Sequence, residues 1–480
     1  MRYFLPIFLI KIFSSHYSNA QSYSIGKYDT LHSIILNEDR RILVHIPENG
    51  IQSNVRYPVM YLLDGDAHFT KTVGIIDHLS NTAGNELCPQ MIVVAIFHRN
   101  RERDLIPPVP ASGTNDKFSE FLEKELIPYV DSKYPTQPYR IFVGHSLGGM
   151  RVINTLVYQP HLFNSYIALD PSLGHFLSNG KPWFENAQND LYKNTWNDKS
   201  LYIAMGMTMP KGMDTATIAK DTSGSARHMR NIMLFAITVS RNKSGLDFNW
   251  KYYPEETHQS VVFLGTYDGL IANFSWYKNE KLFDIFKPEV NATASVKIIT
   301  DYYEYLSQKM GYSQLPPEQG TSELIDYLFF KRWYDKALAF AELNYKNYPN
   351  SSRTKAQLQT AKWNSKKNIA ALYPEKSAKE IYHIAKKDFL KKEPEYNISE
   401  EALNAFGYDL MNQNKLKDSK IIFELNVELY PDSYNVYDSY GECLLNMGKQ
   451  KEALINYQKS LELNPANTNA KNILKKLSAQ

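Results

Sequence analysis

Val143-Gly144-His145-Ser146-Leu147-Gly148-Gly149 decides the reading of the first half of this chain. It has the form Gly-x-Ser-x-Gly, follows the apolar run Arg140–Val143 and precedes a helical spacing over Leu147–Val157. In such a strand-to-helix turn the serine takes unusual backbone angles, and its neighbours must be small for the turn to close. Gly144 and Gly148 meet that need, and Gly149 gives the helix room to approach the sheet. The helix N-terminus directs free N–H groups at the serine, which favours a developing oxyanion. Ser146 is therefore the expected nucleophile. His145 is expected only to pack beneath the turn.

Working outward, Asp29–Leu36 and Arg41–Pro47 form a strand pair around the turn Asn37-Glu38-Asp39. Val59–Leu63 and Met91–Phe97 are compact apolar runs suited to strands buried on both faces. Phe118, Phe121, Leu122, Leu126 and Val130 are spaced as one face of a helix. Ser165–Leu169, Leu201–Met205 and Phe248–Tyr253 supply further strands. A hairpin followed by alternating strands and helices implies an α/β fold, a mostly parallel sheet covered by helices, over residues 21–290.

A serine nucleophile needs a base, which should follow the last strand. Tyr253-Pro254-Glu255-Glu256-Thr257-His258 fits, because a loop there brings His258 to the carboxyl edge of the sheet. His68 and His228 are competitors that do not follow the last strand. The orienting acid should lie between serine and histidine in the chain. Asp214, the first acid after Leu201–Met205, is placed first. Asp221, Glu256 or no acid at all remain open, and Asp214 also reads as a helix N-cap ahead of Thr215–Lys220. The oxyanion hole needs two backbone N–H groups. Leu147 supplies one and Asp66, in Leu63-Asp64-Gly65-Asp66, the other, with Gly65 the alternative.

The segments Tyr61–Asp66, Asn100-Arg101-Glu102-Arg103-Asp104-Leu105-Ile106-Pro107, Gly144–Gly149 and Tyr253–His258, in this order, resemble the putative-esterase family of α/β-hydrolases. That family includes siderophore (enterobactin-type) esterases, and feruloyl esterases and S-formylglutathione hydrolase are similar to it. The resemblance covers about Tyr28 to Phe286. It implies the α/β-hydrolase fold, Ser146 as nucleophile, His258 as base and the Asp64–Asp66 loop in the oxyanion hole. It sets Arg101 and Arg103 on a loop near the site mouth, where they would meet an anionic substrate group or remain solvated surface charges. Gln259 departs from the family, which often has Gly after the histidine. Some siderophore esterases work with a Ser–His pair and a weakly defined acid.

After a helical connector at 291–320, broken by Leu315-Pro316-Pro317, the strands stop. Gly407 and Gly441, Pro431 and Pro465, Leu410 and Leu444, Ser419 and Ala453, and Phe423 and Tyr457 are each 34 residues apart. This is the tetratricopeptide (TPR) period, so 321–480 is expected to be an all-α TPR-like domain. A weaker copy falls at Ile325–Pro349. Two clear repeats are fewer than a free-standing solenoid needs, which makes a protein partner one possible support.

The first twenty residues read as an export signal: Arg2, an apolar run Tyr3–Phe13 interrupted by Lys11, and small residues up to Ala20. A secreted or periplasmic protein is expected. No later stretch is apolar enough to span a membrane. A formal net charge of +3, to which Arg2 and Lys11 contribute two, gives no case for binding nucleic acid. The 34 tyrosines are spread along the chain and form no base-stacking platform. Cys88 and Cys443 fall in different domains and imply neither a disulfide framework nor a metal site. No P-loop, dinucleotide fingerprint or His-Glu-x-x-His motif occurs, so no cofactor or metal is expected. The expected activity is hydrolysis of a small carboxylic ester through an acyl-enzyme. Acyl transfer by the same residues, or an inactive hydrolase-fold scaffold, are the alternatives.

Overall fold

The computed structural model describes residues 24–47, 55–81, 86–108, 116–174, 183–208, 214–224, 226–241 and 244–477. The expected export signal lies outside the described residues. The chain divides into two compact units. The first runs to Asn279 and includes Tyr305–Ser313; the second comprises Glu280–Glu304 and the residues from Gln314 onward.

The first unit has the α/β-hydrolase fold. Its sheet has eight strands: β1 Lys27–Ser33, β2 Glu38–His45, β3 Tyr57–Leu62, β4 Ile92–Ile96, β5 Thr136–His145, β6 Ser165–Leu169, β7 Ser200–Gly206 and β8 Asp247–Tyr253. The order is β1-β2-β4-β3-β5-β6-β7-β8. β2 is antiparallel to β1 and β4, and the remaining pairs are parallel. The hairpin turn lies two to three residues earlier than the sequence predicts, with Asn37 in a left-handed conformation at φ 50°, one that Asn tolerates better than most residues.

Period-two alternation sorts the central strands between two cores. Val59 and Tyr61 join Phe142, Met150 and Leu156 on one face, while Met60 and Leu62 join Ile141, Val143, Val261 and Leu270 on the other. Both faces are covered, which is why these strands read as unbroken apolar runs. The helix expected over Phe118–Val130 is continuous but irregular: α-helical over Lys117–Phe121, π-helical over Leu122–Leu126, then α-helical again over Ile127–Lys133.

The second unit is helical apart from a two-residue strand pair, Lys367–Asn368 with Tyr396–Asn397. Three helix pairs share one plan: Glu318–Phe330 with Tyr334–Asn347, Glu400–Asn412 with Leu416–Leu429, and Tyr434–Asn446 with Gln450–Leu463. Each turn contains a left-handed residue, Arg332, Asn414 and Gly448 respectively. The second and third pairs are 34 residues apart. A side chain at Gly407 would lie 2.7 Å from the Phe423 ring. The glycine thus lets the two helices meet over that aromatic.

The first pair repeats the bonds of the second at an offset of 82 residues. Asn344 donates to the Glu318 carbonyl as Asn426 does to Glu400, and Tyr348 to Pro316 as Tyr430 does to Ile398. Ser351 meets the Glu318 carboxylate as Ser433 meets Glu400. The offset is not a multiple of 34 because additional structure intervenes, including the helix Ala378–Phe389 with its Ser377–Glu380 capping box. No helix among the described residues is long and apolar enough to cross a membrane.

Candidate active site

Ser146 sits between β5 and the helix Leu147–Tyr158 with φ 59° and ψ −117°. A non-glycine residue there carries about 1–3 kcal/mol of backbone strain, which the surroundings must hold in place. Several bonds do so. Ser146 N–H donates to the Leu169 carbonyl at 2.9 Å, and the Ser146 carbonyl accepts from Met150 N–H at 3.1 Å and Ser172 N–H at 2.9 Å. Gly144 is obligatory: a Cβ there would lie 2.4 Å from the Gly148 carbonyl oxygen. The Ser146 hydroxyl is hydrogen-bonded to that of Ser172 at 2.9 Å.

His258 lies in the loop after β8. The loop is fixed to the sheet by Met207 N–H donating to the Glu256 carbonyl at 2.6 Å. His258 Nδ1 lies 2.5 Å from Oδ2 of Asp170. Asp170 follows β6 directly, is fully buried and has φ 42°. Its own N–H donates to the Ala204 carbonyl at 2.8 Å, and its Oδ1 accepts from Gly206 N–H at 2.9 Å. A second histidine, His228 on the helix Arg227–Ser240, sets Nε2 3.0 Å from the same Oδ2. Burial works to raise the Asp170 carboxyl. The bonds from His228 and His258, the His228 charge and the Gly206 N–H outweigh it and hold the group below the ordinary carboxylate range.

His145 does more than pack beneath the turn. Its Nε2 lies 2.7 Å from the His258 carbonyl oxygen, so this nitrogen carries the proton and ties the elbow to the histidine loop. Burial, then the neighbouring His258, push its pKa down to about 4, which keeps the ring neutral at ordinary pH.

Asp214 is not brought to His258. It caps the short helix Thr215–Lys220, its exposed carboxylate accepting from Thr217 N–H at 2.7 Å. Asp221 is likewise spent on a local turn, accepting from Ser223 N–H at 2.8 Å. Glu256 meets β7 through its backbone carbonyl. The carboxylate on His258 is Asp170, which the sequence reading passed over by looking only beyond β7. One signal was available: Asp170 directly follows a buried strand that neighbours the elbow strand, at the carboxyl edge where sites of α/β sheets gather. His68 is buried and forms an edge-to-face ring pair with His145 at 5.5 Å.

Leu147 and Asp66 each occupy the first turn of a helix, Leu147–Tyr158 and Gly65–Ser80, where backbone N–H groups have no partner within the helix. Asp64, left-handed at φ 53°, turns the chain into the second of these. The two turns abut: a Cβ on Gly148 would lie 3.4 Å from Asp64 Oδ2. Arg101 holds this arrangement together. Its guanidinium clamps the Asp64 carboxylate at 2.7 and 2.9 Å and reaches the His145 carbonyl at 3.2 Å. Arg103 pairs with Glu38 and Asp104. Both arginines are engaged with protein carboxylates while keeping about two-fifths of their side chains exposed, 39% for Arg101 and 40% for Arg103.

Residues 33–244 match the family model "Putative esterase". The ferri-bacillibactin esterase BesA of Bacillus subtilis is 31% identical, across 24% of this chain and 48% of that protein. The siderophore triacetylfusarinine C esterase of Aspergillus fumigatus is 29% identical, across 24% of this chain and 44% of that protein. The chain thus spans about half the length of the curated relatives it matches. Among solved structures, an IroE-like serine hydrolase from Shewanella oneidensis superposes with a TM-score of 0.53 at 28% identity, covering 67% of this chain and 99% of that one. Fold, elbow and similarity agree over residues 33–244, the stretch in which the chain is similar to the putative-esterase family.

Proposed function

We propose that the protein is a serine carboxylic-ester hydrolase in which Ser146 is the nucleophile, His258 the general base and acid, and Asp170 the orienting carboxylate. The observation that carries this reading is the strained Ser146 elbow, whose His145 holds the backbone of a His258 with Nδ1 2.5 Å from a buried carboxylate. With Nδ1–H donated to Asp170, the lone pair of His258 is on Nε2, the nitrogen that can take the serine proton.

Ser146 Oγ exchanges its Ser172 bond for His258 Nε2, gives up its proton and attacks the ester carbonyl, whose electron pair moves onto oxygen. The N–H groups of Leu147 and of the Gly65–Asp66 turn receive that oxyanion. Collapse breaks the bond to the alkoxy group, which leaves as the alcohol with the proton from Nε2. Water then gives a proton to the same nitrogen and adds to the acyl carbonyl; the bond to Ser146 Oγ breaks, the acid departs and Oγ takes the proton back from Nε2.

The named relatives point to siderophore-type esters as the substrate class. The 34-residue helix pairs support a TPR-like second unit that engages a protein partner, and the N-terminal pattern supports export. The test of the central reading is hydrolysis of p-nitrophenyl acetate and butyrate by the wild-type chain beside Ser146→Ala. A rate that survives the substitution refutes it. Absence of a rate in both, together with no labelling of Ser146 by a fluorophosphonate probe, would favour the inactive-scaffold alternative.

A further inference from the structure

Asp170, His228 and His258 place one carboxylate oxygen and two imidazole nitrogens within 4.8 Å of one another. They come from three separate elements: the end of β6, the helix Arg227–Ser240 and the loop after β8. An orienting role toward His258 requires one histidine on Asp170; this site has two, on the same oxygen.

We propose that these three groups form an inhibitory binding site for a divalent transition ion of the zinc type. Two imidazoles, a carboxylate and one open position for water are a donor set that such ions accept. At metal–ligand distances of about 2.0–2.1 Å in a tetrahedral arrangement, neighbouring ligand atoms stand about 3.3 Å apart. The present separations are 2.5 Å for His258 and 3.0 Å for His228. Each ring therefore has to withdraw by less than an ångström.

The supporting bonds are also those of a built site. Gly206 N–H fixes Asp170 through Oδ1, leaving Oδ2 for the ion, and His145 fixes the His258 backbone. Side-chain exposures of 26% for His228 and 31% for His258 leave the cluster open to an incoming ion.

Binding would silence the base through its tautomer. The metal takes the lone pair of His258 Nδ1, so the proton now on Nδ1 moves to Nε2 through solvent. Neutral His258 then presents an N–H to Ser146 where it had presented an acceptor. Serine cannot be deprotonated, and no net proton is gained or lost by the ring. This inhibition rests on the proposed use of His258 as base; metal binding itself does not.

The two parts are tested separately. Chelator-treated full-length Ser146→Ala is titrated calorimetrically with zinc chloride, beside the same chain carrying His228→Gln and, as a control for surface imidazoles, His161→Gln. One ion per chain is expected. Its affinity should fall by more than about tenfold in His228→Gln, since even loss of a supporting partner weakens metal sites that much, and stay unchanged in His161→Gln. No bound ion, or one indifferent to His228→Gln, overturns the site. Should His228→Gln unfold, cobalt(II) added to the otherwise unmodified chain gives the second reading. A four-coordinate nitrogen–oxygen visible spectrum without thiolate absorption is expected, and its absence counts against the proposal. In the wild type, zinc should abolish ester hydrolysis and a chelator restore it. Stoichiometric binding without inhibition would overturn the tautomer mechanism. A chain that hydrolyses no ester but binds the ion at these residues would refute the esterase reading alone.

Discussion

Asp170→Asn is the substitution that most directly tests the proposed chemistry. Every group facing the Asp170 carboxylate is a donor: Gly206 N–H on Oδ1, and His228 and His258 on Oδ2. An amide of the same shape must turn its NH2 toward one of them, whichever way it is rotated. With the NH2 toward His258, Nδ1 becomes the acceptor and the proton is forced onto Nε2, the wrong nitrogen for a base. Loss of a hydrogen bond to a buried charged acceptor costs about 1.5–3 kcal/mol. The lost stabilisation of the imidazolium and the wrong tautomer bring the total to roughly 3–5.5 kcal/mol. At about 1.36 kcal/mol per tenfold, that is a fall in kcat of roughly 10²–10⁴. The assay is steady-state hydrolysis of p-nitrophenyl butyrate, with kcat and KM resolved and the melting temperature recorded. Asp214→Asn, measured beside it, should stay within about twofold, because that carboxylate only caps an exposed helix. A loss under about tenfold in a folded Asp170→Asn, or a large loss in Asp214→Asn, would refute the reasoning.

Three further outcomes follow from geometry. His145 has a folded pKa of about 4 against an ordinary 6.5, so below 6.5 the unfolded chain takes the proton first. Native stability should therefore be full above pH 6.5 and fall by roughly 3 kcal/mol as the pH drops to about 4; denaturant titrations at several pH values should show this loss shrinking in His145→Gln. Gly144→Ala forces a Cβ to within 2.4 Å of the Gly148 oxygen and should lower the melting temperature and remove hydrolysis together, as the elbow opens. Gly407→Ala meets the Phe423 ring at 2.7 Å, whereas Gly441→Ala meets Tyr457 at 3.1 Å. Overpacking of about 1–3 kcal/mol is thus expected at the first, less at the second, with Phe423→Leu rescuing Gly407→Ala in thermal denaturation.

The sheet could be read from sequence because its strands are buried on both faces: Val59–Leu63 and Ser165–Leu169 fall where their apolar runs place them. The elbow was legible for a different reason, that its steric demands act on adjacent residues. What stayed hidden depends on partners distant in sequence. Asp170 reads locally as the start of an Asp-Pro-Ser turn, and its bond to His258 spans 88 residues. His145 reaches a carbonyl 113 residues away. Arg101 looks like a surface charge until Asp64 is set against it. In the second unit the period of 34 was visible, and so was the weaker copy at Ile325–Pro349, whose Pro349 precedes Pro431 by an interval of 82 residues that is no whole number of repeats. The bonds that establish that offset link Asn344 to Glu318 and Tyr348 to Pro316, and residue type alone does not identify them.

The β5–β6 ladder pairs Gly144 with Ala168 and His145 with Leu169, and it continues past both strand ends through the Ser146 N–H to the Leu169 carbonyl and the Ser172 N–H to the Ser146 carbonyl. Ser146 and Asp170, the proposed nucleophile and acid, are therefore neighbours on one hydrogen-bonded lattice, their separation set by strand register and not by any loop. His258 alone of the three proposed groups arrives on a loop outside that ladder, tied to it through the bonds of Met207 and His145. A hydrolase built this way can exchange the loops that surround its ester without retuning the two groups that strain and orient its chemistry. Variation in substrate then becomes a matter of loop replacement on a fixed bench.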